Sequence, residues 1–119
     1  MQIIISGRGM DLTEAIKDYV NKKIGGLEKF YDQILRAEVK VGKETDHHLK
    51  GKIFVTECKL DVPGVDLFAS KSEKNLYKAI DKVRDYLETE LKKHKILQRE
   101  KIKKDKRRVR EEKAYHFEE

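Results

Sequence analysis

Leu35–Lys43 alternates cleanly, with Leu35, Ala37, Val39 and Val41 on one side and Arg36, Glu38 and Lys40 on the other. In an extended chain every second side chain shares a face, so this segment predicts a strand buried on one side and wet on the other. A sheet of that kind needs a covering layer. Two segments of helical period can supply it. Leu12, Ile16, Tyr19, Val20, Leu27, Phe30 and Tyr31 recur at helical spacing, and Leu76, Ile80, Val83, Leu87 and Leu91 form a second stripe.

The remaining strands follow from composition and breakers. Gln2–Ser6 is a short β-branched run, and Lys52–Val62 is a long strand ended by the only proline, in the turn Pro63-Gly64. Val65–Lys71 supplies a fourth strand, and the polar "KETDHHLKG" reads as a hairpin loop. Asp11 or Thr13 is placed to cap the first helix, Asp11-x-x-Glu14 having the capping-box spacing; Ser70 or Ser72 is placed to cap the second. Gly25-Gly26 sits inside the first helical pattern, where each glycine costs about 1 kcal/mol relative to alanine, so a kink or close packing is expected there. The order β-α-β-β-β-α predicts an α+β two-layer sandwich, a four-stranded sheet with two helices on one face. The first helix is long enough to join strands one and two in parallel, and hairpins join the rest.

The 119 residues suit one domain, read as residues 1–95, followed by a basic C-terminal extension over 96–119. No Gly or Pro occurs after residue 64, so nothing forces the second helix to stop at Leu91. Apolar residues thin out beyond it, which predicts a frayed helical extension, mobile until it binds. The net charge of +6 is concentrated there: residues 92–110 hold eleven Lys/Arg against two acids, a local +9, and the other 100 residues stand at −3. A segment of that charge suits a polyanion such as RNA or DNA. A solvated charged tail has the same composition, and composition alone does not choose between them.

Other chemistry finds little support. "ISGRGMDLTEAI" begins like a dinucleotide-binding turn, but Leu12 stands where the third glycine belongs and no P-loop Lys-Ser/Thr follows. Asp11 would also put a carboxylate where a phosphate should sit. The glycines are expected to serve a turn through positive φ. His47-His48 lacks a third ligand at metal-binding spacing and reads as an exposed loop pair, with His94 and His116 adding nothing to it. Cys58, the only cysteine, falls on the inward side with Phe54 and Leu60 and reads as core. Ser6, Ser70 and Ser72 lack a nucleophile-elbow setting, and Glu88 and Glu90 lie on a charge-rich helix. No catalytic constellation, metal, cofactor or small-molecule substrate is expected. Ile3–Ile5 is too short for a signal peptide or a membrane span, so a cytoplasmic protein with no membrane partner is expected.

The basic residues are the coherent set. Lys17, Lys22, Lys23 and Lys29 lie mostly off the apolar stripe of the first helix. Lys74, Lys78, Lys82 and Arg84, then Lys92, Lys93 and Lys95, do likewise on the second. With both helices on one sheet face, these cations share the outer side of one layer, interspersed with Glu14, Asp18, Glu28, Asp81, Asp85, Glu88 and Glu90. No strand-borne aromatic signature and no GXXG loop points to an RRM or KH module.

"ISGRGMDLTEAIKDYVNKKIGGLEKFY" followed by "LFASKSEKNLYKAIDKV" resembles the ribosome hibernation-promoting factor / ribosome-associated inhibitor A family, in its short form, over about residues 1–95. The resemblance implies the same β-α-β-β-β-α fold, related to double-stranded RNA-binding domains. It implies a non-enzymatic translation inhibitor that binds the small ribosomal subunit and the 70S ribosome, in the channel used by mRNA and by A- and P-site tRNA, through helix-borne cations on 16S rRNA. Lys17, Lys22, Lys23 and Lys29 match basic positions of the family's first helix, and Lys92, Lys93 and Lys95 the basic end of its second. The chain departs at Asn75, at Lys78 and at Tyr86–Leu91, where the family's mid-helix cations are missing. The extension is expected to compensate through Arg99, Lys101, Lys103, Lys104, Lys106, Arg107, Arg108 and Arg110. The free protein is expected to be a monomer.

Two other readings remain open on the sequence. A generic double-stranded RNA-binding module would carry a Lys-Lys-x-x-Lys cluster opening its last helix, of which Lys71, Lys74 and Lys78 give a diluted version. A coiled coil through the charged C-terminal helix would need a better seam than Ile102 and Val109 provide.

Overall fold

The computed structural model describes residues 1–46 and 51–117, with side chains for 1–44, 51 and 53–107. Strand β1 (Gln2–Arg8) leads into helix α1 (Glu14–Gly25), which tightens into a 3-10 turn over Gly26–Lys29. Strands β2 (Arg36–Asp46), β3 (Gly51–Val62) and β4 (Val65–Glu73) follow, then helix α2 (Leu76–Phe117). The sheet order is β1-β2-β3-β4, with β1 parallel to β2 and the other neighbours antiparallel. The predicted α+β sandwich is therefore the observed fold.

Register explains why one sheet face is dry. Ile5, Val39, Cys58 and Ala69 pair in a row across all four strands, and Ile3, Ala37, Leu60 and Leu67 form the next. Ile16, Val20 and Ile24 of α1 and Leu76, Ile80, Val83, Leu87 and Leu91 of α2 cover these rows in a single core. Fully burying each such aliphatic side chain contributes roughly 1.5–3 kcal/mol. Cys58 is completely buried and its thiol is pushed up to about 12 by desolvation, as a core residue should be.

Several local expectations are resolved or corrected. Of the two caps expected for α1, Thr13 is the one used, its Oγ1 accepting from the Ile16 N–H at 3.2 Å. Asn75, rather than Ser70 or Ser72, caps α2, its Oδ1 accepting from the N–H groups of Tyr77 and Lys78 at 2.9 and 3.4 Å. Strand β4 runs on to Glu73, so both serines are still paired with β3. Leu35 lies just outside β2 and is 66% exposed; its neighbour Ile34 fills the core instead. Gly25 and Gly26 have ordinary right-handed φ and mark the passage from α to 3-10 geometry. At the β1–α1 corner, Gly9 has φ +71°, whereas Gly7 is there for space: a Cβ would come within 2.7 Å of the Met10 carbonyl oxygen. The opening glycines turn a corner.

α2 crosses the 95/96 position without a break and is 42 residues long. At 1.5 Å per residue this is about 63 Å, against a longest molecular dimension of 74 Å. Gln98 lies beside the β3–β4 turn, its Nε2 3.8 Å from where a Gly64 Cβ would be. Beyond that point the helix projects past the end of the sheet. No helix among the described residues is long and apolar enough to cross a membrane.

Candidate nucleic-acid interface

The two layers handle charge differently. On the open sheet face Arg36 pairs with Asp61 at 3.1 Å and Glu38 at 3.2 Å, and Lys59 reaches Asp66 at 3.6 Å and Asp61 at 3.8 Å. That face is a neutralised ladder. A groove of about 530 Å³ beside it mixes Arg8, Lys40 and Lys43 with Glu44 and Glu57. The helical layer is where cations outnumber partners.

Phe30 organises the densest group. Its ring has Lys29 Nζ and Lys92 Nζ at 5.1 Å and the Arg84 guanidinium at 5.5 Å from its centre. Glu88 bridges two of them, accepting from Arg84 at 3.0 Å and lying 3.4 Å from Lys92. Asp85 also accepts from Arg84 at 3.1 Å, so three cations face two carboxylates and leave an excess of one positive charge, held around an apolar ring that cannot neutralise it. Next to it, Lys95, Gln98, Arg99 and Ile102 of α2 face Phe30 and Tyr31 across a groove of about 490 Å³, whose other wall also carries Glu28 and Asp32, Glu28 being paired with the Met1 ammonium at 2.8 Å. Lys29, Arg84, Lys92, Lys95 and Arg99 thus come together along one side of α2, although they are scattered over 71 positions of sequence. An open groove in which Lys29, Lys95 and Arg99 outnumber Glu28 and Asp32, with aromatic and amide walls, is suited to nucleic-acid backbone and bases.

The other predicted cations divide into two sets. Lys17 is 3.8 Å from Glu14, Lys23 is 3.8 Å from Asp81, Lys93 is 3.5 Å from Glu90, and Lys103 is 4.0 Å from Glu100. Lys82 is paired with Glu73, whose carboxyl is held below its usual range by that ammonium. Lys82 and Lys93 lie away from the Phe30 group, on the β4 side of α2. Lys22, Lys74 and Lys78 are exposed, as are Lys101, Lys104, Lys106 and Arg107, and none makes an ion pair within 4.0 Å among the described residues, although the Lys78 charge helps to hold the Glu73 carboxyl down. Arg108 and Arg110 lie in α2, but their side chains fall outside the described residues, as do His47 and His48.

Between the helices, Tyr19 stacks edge-on against Tyr77 at 4.8 Å and donates a hydrogen bond to Asp81 at 2.6 Å. Lys23 lies over the Tyr19 ring at 5.5 Å. This clasp sets the spacing of α1 and α2 and so of the cations they carry. Sequence reasoning missed two features: Phe30 as the centre of the cation group, because it reads only as part of an apolar stripe, and His94 as a core residue. His94 is buried on the inner side of α2, edge-on to Tyr31 at 5.3 Å. Its spacing of three from Leu91 and seven from Leu87 was the available signal. Among the described residues no group of three His, Cys, Asp or Glu is placed to hold a metal ion.

Comparison with known proteins agrees with the fold and narrows the class. A family model described as sigma 54 modulation protein / S30EA ribosomal protein matches residues 3–99. The ribosome hibernation promoting factor of Azotobacter vinelandii is 40% identical over 95 residues, covering 80% of this chain and 83% of that protein. The N-terminal domain of Thermus thermophilus Protein Y superposes with a TM-score of 0.67 at 35% identity, over 79% of this chain and 99% of that one. A ribosomal subunit interface protein from Coxiella burnetii, 24% identical with a TM-score of 0.70, shares the fold over 81% of this chain and 99% of its own.

Proposed function

The chain belongs to the sigma 54 modulation protein / S30EA ribosomal protein family, and we infer from that membership that it is a ribosome hibernation factor, acting by binding rather than by catalysis. It associates with the ribosome in the cytoplasm. Its contact is with the small subunit, in the channel that mRNA and A- and P-site tRNA use, and the ligand there is the phosphate backbone of 16S rRNA.

The observation that carries this reading is the contrast between the layers: a neutralised sheet face and a helical face with cations in excess around Phe30. Lys29, Arg84, Lys92, Lys95 and Arg99 form the centre of the interface. Lys22, Lys74 and Lys78 extend it over the domain, residues 1–95, and the cations of residues 96–119 extend it beyond. Lys17, Lys23, Lys82, Lys93 and Lys103, and within the central group Arg84 and Lys92, begin with acidic neighbours and contribute less than Lys29, Lys95 and Arg99, because each must exchange one partner for another.

Sedimentation of 70S ribosomes with the full chain over a salt series tests this. Binding should fall steeply and linearly on a log–log plot. Excess tRNA and mRNA should displace the protein, and duplex RNA should not; displacement by duplex RNA alone would favour a generic duplex binder. No co-sedimentation at low salt would end the proposal.

A further inference from the structure

The helix that leaves the domain changes character at one place. Up to Gln98 the inner stripe of α2 is Leu87, Leu91 and His94, seated on the sheet and its turn. The next positions on that stripe are Lys101 and Asp105, both exposed. The side of the helix that had faced the core becomes charged as soon as the sheet ends.

The cations beyond Gln98 form two rows. Arg99, Lys103 and Lys106 recur at intervals of four and three, continuing the side already occupied by Lys92 and Lys95. Lys101 and Lys104 form the second row. At about 100° per residue the two rows lie on roughly opposite sides of the helix. Arg107 falls between them, and Glu100 and Asp105 are the only acids among residues 99–107. A helix resting on a flat anionic surface uses one row and leaves the other in water. Opposed rows are matched only by negative charge on both sides.

We propose that the extension of α2 binds as a helix, inserted into a cleft of folded RNA with phosphate backbone on both walls. This rests on the ribosome-binding reading above and specifies its mode. A helix with its side chains is about 10–12 Å across, and the major groove of regular A-form duplex is too narrow to admit side chains for reading. The cleft is therefore a groove widened by irregular pairing, or the gap between two RNA helices, and not a regular duplex.

The test compares two matched full-length variants in 70S co-sedimentation over a salt series: Lys103→Gln/Lys106→Gln for one row and Lys101→Gln/Lys104→Gln for the other. Glutamine keeps helix propensity near that of lysine, and far-UV circular dichroism checks each variant. A Lys101→Arg/Lys104→Arg variant, which keeps the charge, should bind like the parent. Each neutralised pair should weaken binding and flatten the log–log slope, by about 1.5 for Lys101 and Lys104 and by less for Lys103 and Lys106, since Lys103 lies 4.0 Å from Glu100; every phosphate that a cation no longer neutralises lowers the slope by ~0.7–0.9. An effect from one pair alone means a single wall and overturns the proposal, as does no effect from either. Weakening by both without a change of slope means that the walls are not phosphate, and overturns it equally. Failure of the parent chain to co-sediment is a different result, which removes the ribosome-binding reading itself.

Discussion

Tyr19 Oη donates to the Asp81 carboxylate at 2.6 Å, joining the two helices across 62 positions of sequence. The hydrogen bond to Asp81, then desolvation, then the Asp81 charge raise the Tyr19 phenol to about 12 from an ordinary 10. The bond exists only while the phenol keeps its proton. Its contribution to stability is therefore complete below pH 10 and is lost as pH rises through about 12. In an ultraviolet titration Tyr19 should ionise late. Tyr19→Phe should remove that late step and cost about 1 kcal/mol in denaturant unfolding, a hydrogen bond to a charged group discounted for its partial exposure.

The glycines give opposite signs. Gly26→Ala should stabilise by about 0.5–1 kcal/mol, since its backbone is right-handed and a Cβ would meet nothing within 4 Å. Gly9→Ala should destabilise by about 1 kcal/mol because its φ is +71°. Thermal unfolding of the two variants should move in opposite directions.

Leu87 is completely buried where α2 meets the sheet. Leu87→Ala should cost about 2–5 kcal/mol in chemical denaturation. A cost below about 1 kcal/mol would mean that the packing of α2 on the sheet is not the close one described.

Cys58 should be silent toward a thiol reagent at pH 8 in the native protein, because its thiolate is disfavoured by burial and the sulfur is inaccessible. Reactivity should appear with the unfolding transition followed by circular dichroism. Modification of the folded protein at a rate typical of exposed thiols would contradict this.

Ion pairing inside the protein should grade the cations in ribosome binding. Lys22→Gln and Lys95→Gln each remove a charge without an acidic partner among the described residues, and each should flatten the salt slope by about 1. Lys82→Gln removes a charge already matched by Glu73 and should change the slope less. Equal effects from all three would show that internal pairing does not set the contribution.

Much of the fold was legible because it is local. Val39 and Val41 alternate with Glu38 and Lys40, and the stripe Ile80, Val83, Leu87, Leu91 repeats at helical spacing, so backbone period and buried face follow directly. The caps were less legible: Thr13 and Asn75 won over Asp11, Ser70 and Ser72, in the second case because strand pairing keeps both serines in β4. Leu35 and Ile34 exchanged roles because the first paired residue of β2 is Arg36.

By itself the sequence determined the β-α-β-β-β-α order, the single core and the surplus of cations near the C-terminus, since each is carried by spacing along one segment. Helical spacing also pairs Lys17, Arg84, Lys92, Lys93 and Lys103 with acids three or four residues away; only the tertiary structure decided the pairs and groupings between elements. Glu73 lies against Lys82, and Phe30 gathers Lys29, Arg84 and Lys92, through the packing of α1, β4 and α2 upon one another. Ion pairs between elements form over a few ångströms of space, and distance along the chain does not specify that space until the layers are assembled.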